Sequence, residues 1–74
     1  TFVGNHGAIA ADGATAVLND GNYECTAAYT GNSDWVLYAA TQYGKPGKIT
    51  YDAVTCTIKT ANPNGAIYGD VVAK

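Results

Sequence analysis

The eight residues Tyr23-Glu24-Cys25-Thr26-Ala27-Ala28-Tyr29-Thr30 alternate at the two-residue period of a β-strand. Tyr23, Cys25, Ala27 and Tyr29 share one face, while Glu24, Thr26 and Thr30 share the other. The next run, Trp35-Val36-Leu37-Tyr38-Ala39-Ala40, is apolar at every position and predicts a central strand covered on both sides. From Lys48 to Thr60, Ile49 and Tyr51 point one way. Then the phase shifts by one residue at Asp52-Ala53 so that Val54, Cys56 and Ile58 take over. Such a shift predicts a bulge or a tight turn. A last run, Ala66 to Ala73, holds Ile67, Val71 and Val72, with Gly69 weakening its middle.

Upstream, the alanine-rich stretch Ala8 to Leu18 has the composition of a short helix, but Asp12-Gly13 interrupts it. A glycine inside a helix costs about 1 kcal/mol. Two short strands, Ala8–Ala11 and Ala14–Leu18, joined at Asp12-Gly13, are the better reading. Turn signals punctuate the whole chain: Gly4-Asn5, Asp12-Gly13, Asn19-Asp20-Gly21-Asn22, Gly31-Asn32-Ser33-Asp34, Gly44-Lys45-Pro46-Gly47 and Asn62-Pro63-Asn64-Gly65. Asx-Gly pairs supply the positive φ of hairpin turns. Short strands at this spacing predict an all-β fold, a small single domain over residues 1–74. The expected architecture is an antiparallel sandwich or barrel of about six or seven short strands. Gly-Ala-Ile occurs twice, at Gly7-Ala8-Ile9 and Gly65-Ala66-Ile67. We read the recurrence as coincidence among small residues; the sharper reading is two equivalent hairpin strands and internal pseudo-symmetry.

The core available to such a domain is thin. Of the 74 residues, thirteen are alanine and another thirteen are Val, Ile, Leu or Phe. Six tyrosines and Trp35 supply further burial. A domain this small is expected to need a disulfide, a metal or a partner. Cys25 and Cys56 both sit in strand-like runs and predict a bridge. It would close a loop worth roughly 3–4 kcal/mol by the chain-entropy model. A metal site has little support, since there is no C-x-x-C and His6 is the sole histidine. The chain starts at Thr1 and shows no signal-peptide pattern. With the cysteine pair, this gives the expectation of a mature, processed extracellular protein, secreted or displayed at the cell surface.

Several function classes lose support at this stage. A net charge of −2, with four lysines and no arginine, argues against nucleic acid as a partner. No apolar run approaches the roughly 18 residues of a membrane span. Catalysis is not expected either. Ser33 and His6 are the only residues of their kinds, and both lie in turn-like stretches. Asp12, Asp20, Asp34, Asp52 and Asp70 carry turn chemistry, and Glu24, in mid-strand, reads as an ordinary exposed acid. The Asx-rich turns 19–22 and 32–34 match no EF-hand loop and give only a weak calcium signal. No cofactor is implied.

Two non-enzymatic classes remain. One is a secreted interaction module of the effector, toxin, inhibitor or lectin kind, meeting a protein or glycan through aromatic and Asx-rich loops. Its candidate contacts are Trp35, Tyr29, Tyr38, Tyr43, Tyr51, Tyr68 and the lysines Lys45 and Lys48. Tyr23 and Trp35 are expected inside, and Tyr43 and Tyr68 outside. The other class is a self-assembling extracellular structural subunit, a filament, pilin or coat type of homo-oligomer, growing by strand addition. Its candidate edge is Ile67, Val71 and Val72, in a run with neither lysine nor proline until the final Lys74.

Overall fold

A computed structural model describes residues 1–4, 7–27, 35–63 and 65–74 of the chain. Nine strands are present among the described residues. They are β1 (Phe2–Gly4), β2 (Ile9–Asp12), β3 (Thr15–Leu18), β4 (Gly21–Cys25), β5 (Leu37–Ala40), β6 (Lys48–Tyr51), β7 (Cys56–Thr60), β8 (Ile67–Gly69) and β9 (Val71–Ala73). The all-β expectation holds. The antiparallel one does not, because every ladder is parallel.

The strands form three sheets of three, in the orders β1-β4-β7, β2-β5-β8 and β3-β6-β9. Each strand therefore pairs with the strand three places later in the chain. The chain winds as a three-sided parallel β-solenoid of three rungs: β1 to β3, β4 to β6 and β7 to β9. The Cα extents are 31 × 28 × 15 Å.

The correction has a physical origin. Asx-Gly pairs provide positive φ, but a corner between two sheets uses that backbone as readily as a hairpin does. Gly13 (φ 66°) and Gly69 (φ 88°) turn the chain from one sheet into the next. Asp12-Gly13 thus joins two strands that never pair with each other. The run from Ala66 to Ala73 is likewise not one strand but two, split at Gly69-Asp70 and belonging to different sheets. The phase shift at Asp52-Ala53 is a tight turn between β6 and β7. There the Asp52 Oδ1 accepts from the N–H groups of Val54 (2.9 Å) and Thr55 (3.2 Å). These two N–H groups, Val54 foremost, hold the Asp52 carboxyl below its ordinary range.

The two Gly-Ala-Ile segments are structurally equivalent. Ile9 pairs with Leu37, and Leu37 with Ile67, so the segments open the outer strands of one sheet. Coincidence is thus the wrong reading. The repeat is real, although the equivalence is between rungs and not hairpins.

Inward-facing residues stack in columns along the solenoid axis. Phe2, Tyr23 and Ile58 form one, Ile9, Leu37 and Ile67 another, and Ala16, Ile49 and Val71 a third. The middle rung is the core. Leu37 and Ile49 are fully buried, and Tyr23, Cys25 and Ala39 are nearly so. Burying a Leu or Ile side chain stabilises by roughly 1.5–3 kcal/mol. The column of Ala11, Ala39 and Gly69 is small because the rungs pass closely there. A Cβ on Gly69 would meet the Ala39 carbonyl.

The expected disulfide is absent. Cys25 and Cys56 are both buried, and no bridge joins them. Cys25 pairs in register with Thr60, and Cys56 with Gly21, four residues away along the same ladder. At about 3.3 Å per residue that is roughly 13 Å, well beyond the 7 Å or so that a bridge spans. The thiols instead point at backbone carbonyls, Cys25 at Ala27 (3.8 Å) and Cys56 at Leu18 (3.5 Å). The export expectation leaned on that bridge and loses this support.

Candidate assembly ends and aromatic face

The core columns run out to both ends of the solenoid. In the middle rung Tyr23 is 6% exposed, but its first-rung neighbour Phe2 is 54% exposed. Leu37 is fully buried, whereas its third-rung neighbour Ile67 is 40% exposed. Both Phe2 and Ile67 face inward, so their exposure comes from the missing cover along the axis. Among the described residues, three parallel strands at each end also present an edge with no further strand beside it: β1, β2 and β3 at one, β7, β8 and β9 at the other. Such edges template further strands. The expected assembly edge lies here. Ile67 and Val72 are exposed and Val71 is half-buried, all on outermost strands.

The outer side of the β2-β5-β8 sheet carries aromatics. Tyr38 and Tyr68 pair in register, and their rings stack at 5.0 Å with 9° between planes. Trp35 leans on Tyr68 at 5.4 Å and 39°. Tyr68 is 47% exposed. Tyr38 and Trp35 are half-buried, so Trp35 is less interior than expected. Tyr68 stands on an outermost strand, with no further rung to stack its ring against.

Between β5 and β6 the chain runs through residues 41–47, a longer corner than the single residue between β8 and β9. It is a hairpin in which Gln42 and Lys45 exchange N–H to carbonyl bonds of 2.9 and 3.0 Å. Tyr43 (φ 53°) and Gly44 (φ 75°) form its two-residue tip, both left-handed. Tyr43 is almost fully exposed, and Lys45 and Lys48 are exposed nearby in sequence. The Gly44-Lys45-Pro46-Gly47 turn signal marks the second half of this tip.

The remaining sequence candidates scatter. Tyr51 is half-buried on the inner side of β6, in the column of Leu18 and Ala73. Tyr23 is buried as expected, and its hydroxyl donates to the Asp20 carbonyl at 2.8 Å. Burial first, then the nearby ionisable Cys56 and Asp20, raises its phenol above the ordinary value. Glu24 stands on the outer side of its sheet, between Val3 and Lys59. Tyr29, His6, Ser33 and the 32–34 turn lie outside the described residues. Among the described residues no group of three or more His, Cys, Asp or Glu side chains gathers to hold a metal ion. No described helix is long and apolar enough to cross a membrane. Comparison with protein families, with curated proteins and with solved structures finds no match to this chain.

Proposed function

We propose that this chain is a structural solenoid segment that works by association through its two open ends. The observation that carries the reading is the exposure of inward-facing residues at both ends, Phe2 at 54% and Ile67 at 40%. Solenoids keep their ends soluble with polar capping repeats. Here the edge strands β8 and β9 hold no lysine, proline or bulge to blunt them, while β7 beside them carries Lys59. A small core with unpaired edges is also the situation in which association rescues stability.

Light scattering over a concentration series tests this. Masses above the 7.6 kDa of one chain, rising with concentration, are the expected result. A monomer at every concentration overturns it.

A second reading, an interaction module for a protein or glycan, draws on Tyr43. A bulky side chain in the left-handed region costs of order 1–2 kcal/mol. Here that cost presents a ring 93% exposed at a hairpin tip beside Lys45. Replacing Tyr43 by Asn or Gly relieves the strain. Under this reading the substitution raises stability while abolishing retention on an immobilised glycan or protein panel, and unchanged retention refutes it.

A further inference from the structure

We infer that the outer face of the β2-β5-β8 sheet, at its Tyr68 end, is a binding site for a guanidinium group presented by an arginine-bearing segment of another protein. The site is built from outward-facing residues, whereas association through the open ends draws on inward-facing ones.

The ring of Tyr68 supplies the platform. Its two ring neighbours are Tyr38, in β5, at 5.0 Å and Trp35, just before β5, at 5.4 Å. Both stand on the middle rung, so both contacts fall on one side of the Tyr68 ring. The opposite face turns toward the outer edge of β8, where no described strand lies. The side chain is 47% exposed. A cation placed over such an open face, within about 6 Å of the ring centre, is attracted by the ring quadrupole. Trp35 and Tyr38 back the platform, so little side-chain freedom remains to be lost on binding.

Charge selects the ligand. The outward positions of this sheet are Ala10, Asp12, Tyr38, Ala40 and Tyr68, and Asp70 follows β8 directly. Asp12 and Asp70 are both exposed. None of the four lysines stands on this face: Lys45 lies in the β5–β6 hairpin, Lys48 in β6, Lys59 in β7 and Lys74 after β9. Lys48 neighbours Asp70 in the adjoining ladder, since Ile49 pairs with Val71, but no ion pair joins them. Asp70 comes two residues after Tyr68, so their Cα atoms are at most about 7 Å apart. A guanidinium satisfies ring and carboxylate at once. Its plane lies on the ring while its edge donates two parallel hydrogen bonds to the carboxylate. An ammonium has no plane to stack and no fork to donate. A neutral sugar ring stacks but leaves the acidic charge uncompensated. The chain holds no arginine, so a second copy of it cannot supply the group.

Trp35 is the only tryptophan and touches Tyr68, so its fluorescence reports on the site directly. The full chain is titrated with the peptide Gly-Arg-Gly-Arg-Gly, with its lysine twin, and with a twin carrying citrulline, flat but uncharged, in place of arginine. A saturable change with the arginine peptide, weakened by added salt, is expected. The lysine twin should bind at least about threefold more weakly, and the citrulline twin should give no saturable change. Tyr68→Leu and Asp70→Asn should each weaken the arginine peptide about threefold or more. Glu24→Gln removes the same charge from the outer side of another sheet and should change binding less than about twofold. No response to the arginine peptide, an equal response to the citrulline twin, or equal losses in Glu24→Gln and Asp70→Asn overturns the proposal. A change of emission with maltoheptaose but not with the arginine peptide assigns the face to a glycan and overturns it as well. Where Tyr68→Leu loses its circular dichroism spectrum, Asp70→Asn, at an exposed position beyond the strand, carries the test.

Discussion

Tyr38 and Tyr68 occupy one register position on adjacent rungs, and their rings stack 5.0 Å apart. The separation is close to the spacing of about 4.8 Å between neighbouring strands, so the backbone ladder itself sets the ring geometry. Aromatic pairs contribute about 0.5–1.5 kcal/mol beyond their area burial. A double-mutant cycle of Tyr38→Leu and Tyr68→Leu is expected to return a coupling in that range. Strictly additive effects on the denaturation midpoint would remove the stack from the account.

Gly47 is expected to be irreplaceable and Gly44 nearly dispensable. A Cβ on Gly47 would land on the carbonyl oxygens of Ala11 and Ala40, backbone atoms of two rungs that cannot step aside. Gly47→Ala should cost more than about 3 kcal/mol, at the upper end of overpacking effects. A Cβ on Gly44 meets nothing within 4 Å, and only its φ of 75° opposes it. Gly44→Ala should cost about 1 kcal/mol. Urea denaturation of the two variants measures the contrast, and equal costs would contradict the close passage of the rungs at Gly47.

Oxidation should leave the folded chain without an internal bridge. Cys25 and Cys56 face the core from positions four residues apart on paired strands. Intact mass after mild oxidant under native conditions should equal that of the fully reduced chain. Cys25→Ala should cost about 1–2 kcal/mol, the price of a small cavity, and not the roughly 2–5 kcal/mol of a lost disulfide. A loss of 2 Da on oxidation would show the two strands in a different register.

Stability should fall in acid through Asp52. Its carboxyl is lowered from 3.8 by the Val54 and Thr55 N–H groups, so the folded state binds the proton less readily than the unfolded chain. The contribution is therefore full above the unfolded value and is lost as pH drops through the lower folded one. Asp52→Asn keeps an oxygen acceptor for the turn but has no charge to titrate. Its stability should vary less with pH below about 4 than that of the wild type. Parallel curves for the two proteins would separate the turn from the acid response.

Much of the local structure was legible. Alternation marked β4 from Tyr23 to Cys25, the phase shift marked the turn at Asp52, and Asx-Gly pairs marked the places where the chain changes direction. Tyr43 and Tyr68 were correctly expected at the surface. What failed was the inference from a turn to a hairpin. Asp12-Gly13 looks the same whether the chain folds back or turns a corner, since positive φ serves both. The cysteine pair failed for a related reason. Both residues do face the core, but parity and facing direction say nothing about position along a ladder.

The sequence by itself determined that the chain is built of short strands, which residues of β4, β5 and β6 face inward, and where several of the breaks between strands fall. These are local properties, dictated by side-chain period and by the backbone freedom of glycine. Only the tertiary structure decided which strand lies beside which. Parallel pairing joins residues some 20 to 35 positions apart, such as Phe2 with Tyr23 and Tyr23 with Ile58. Those partners are chosen by the stacking of whole rungs and by the burial of Leu37 and Ile49 between neighbours above and below. No short window of the chain contains that choice, and the open ends follow from it: a rung is complete only when both of its edges are paired.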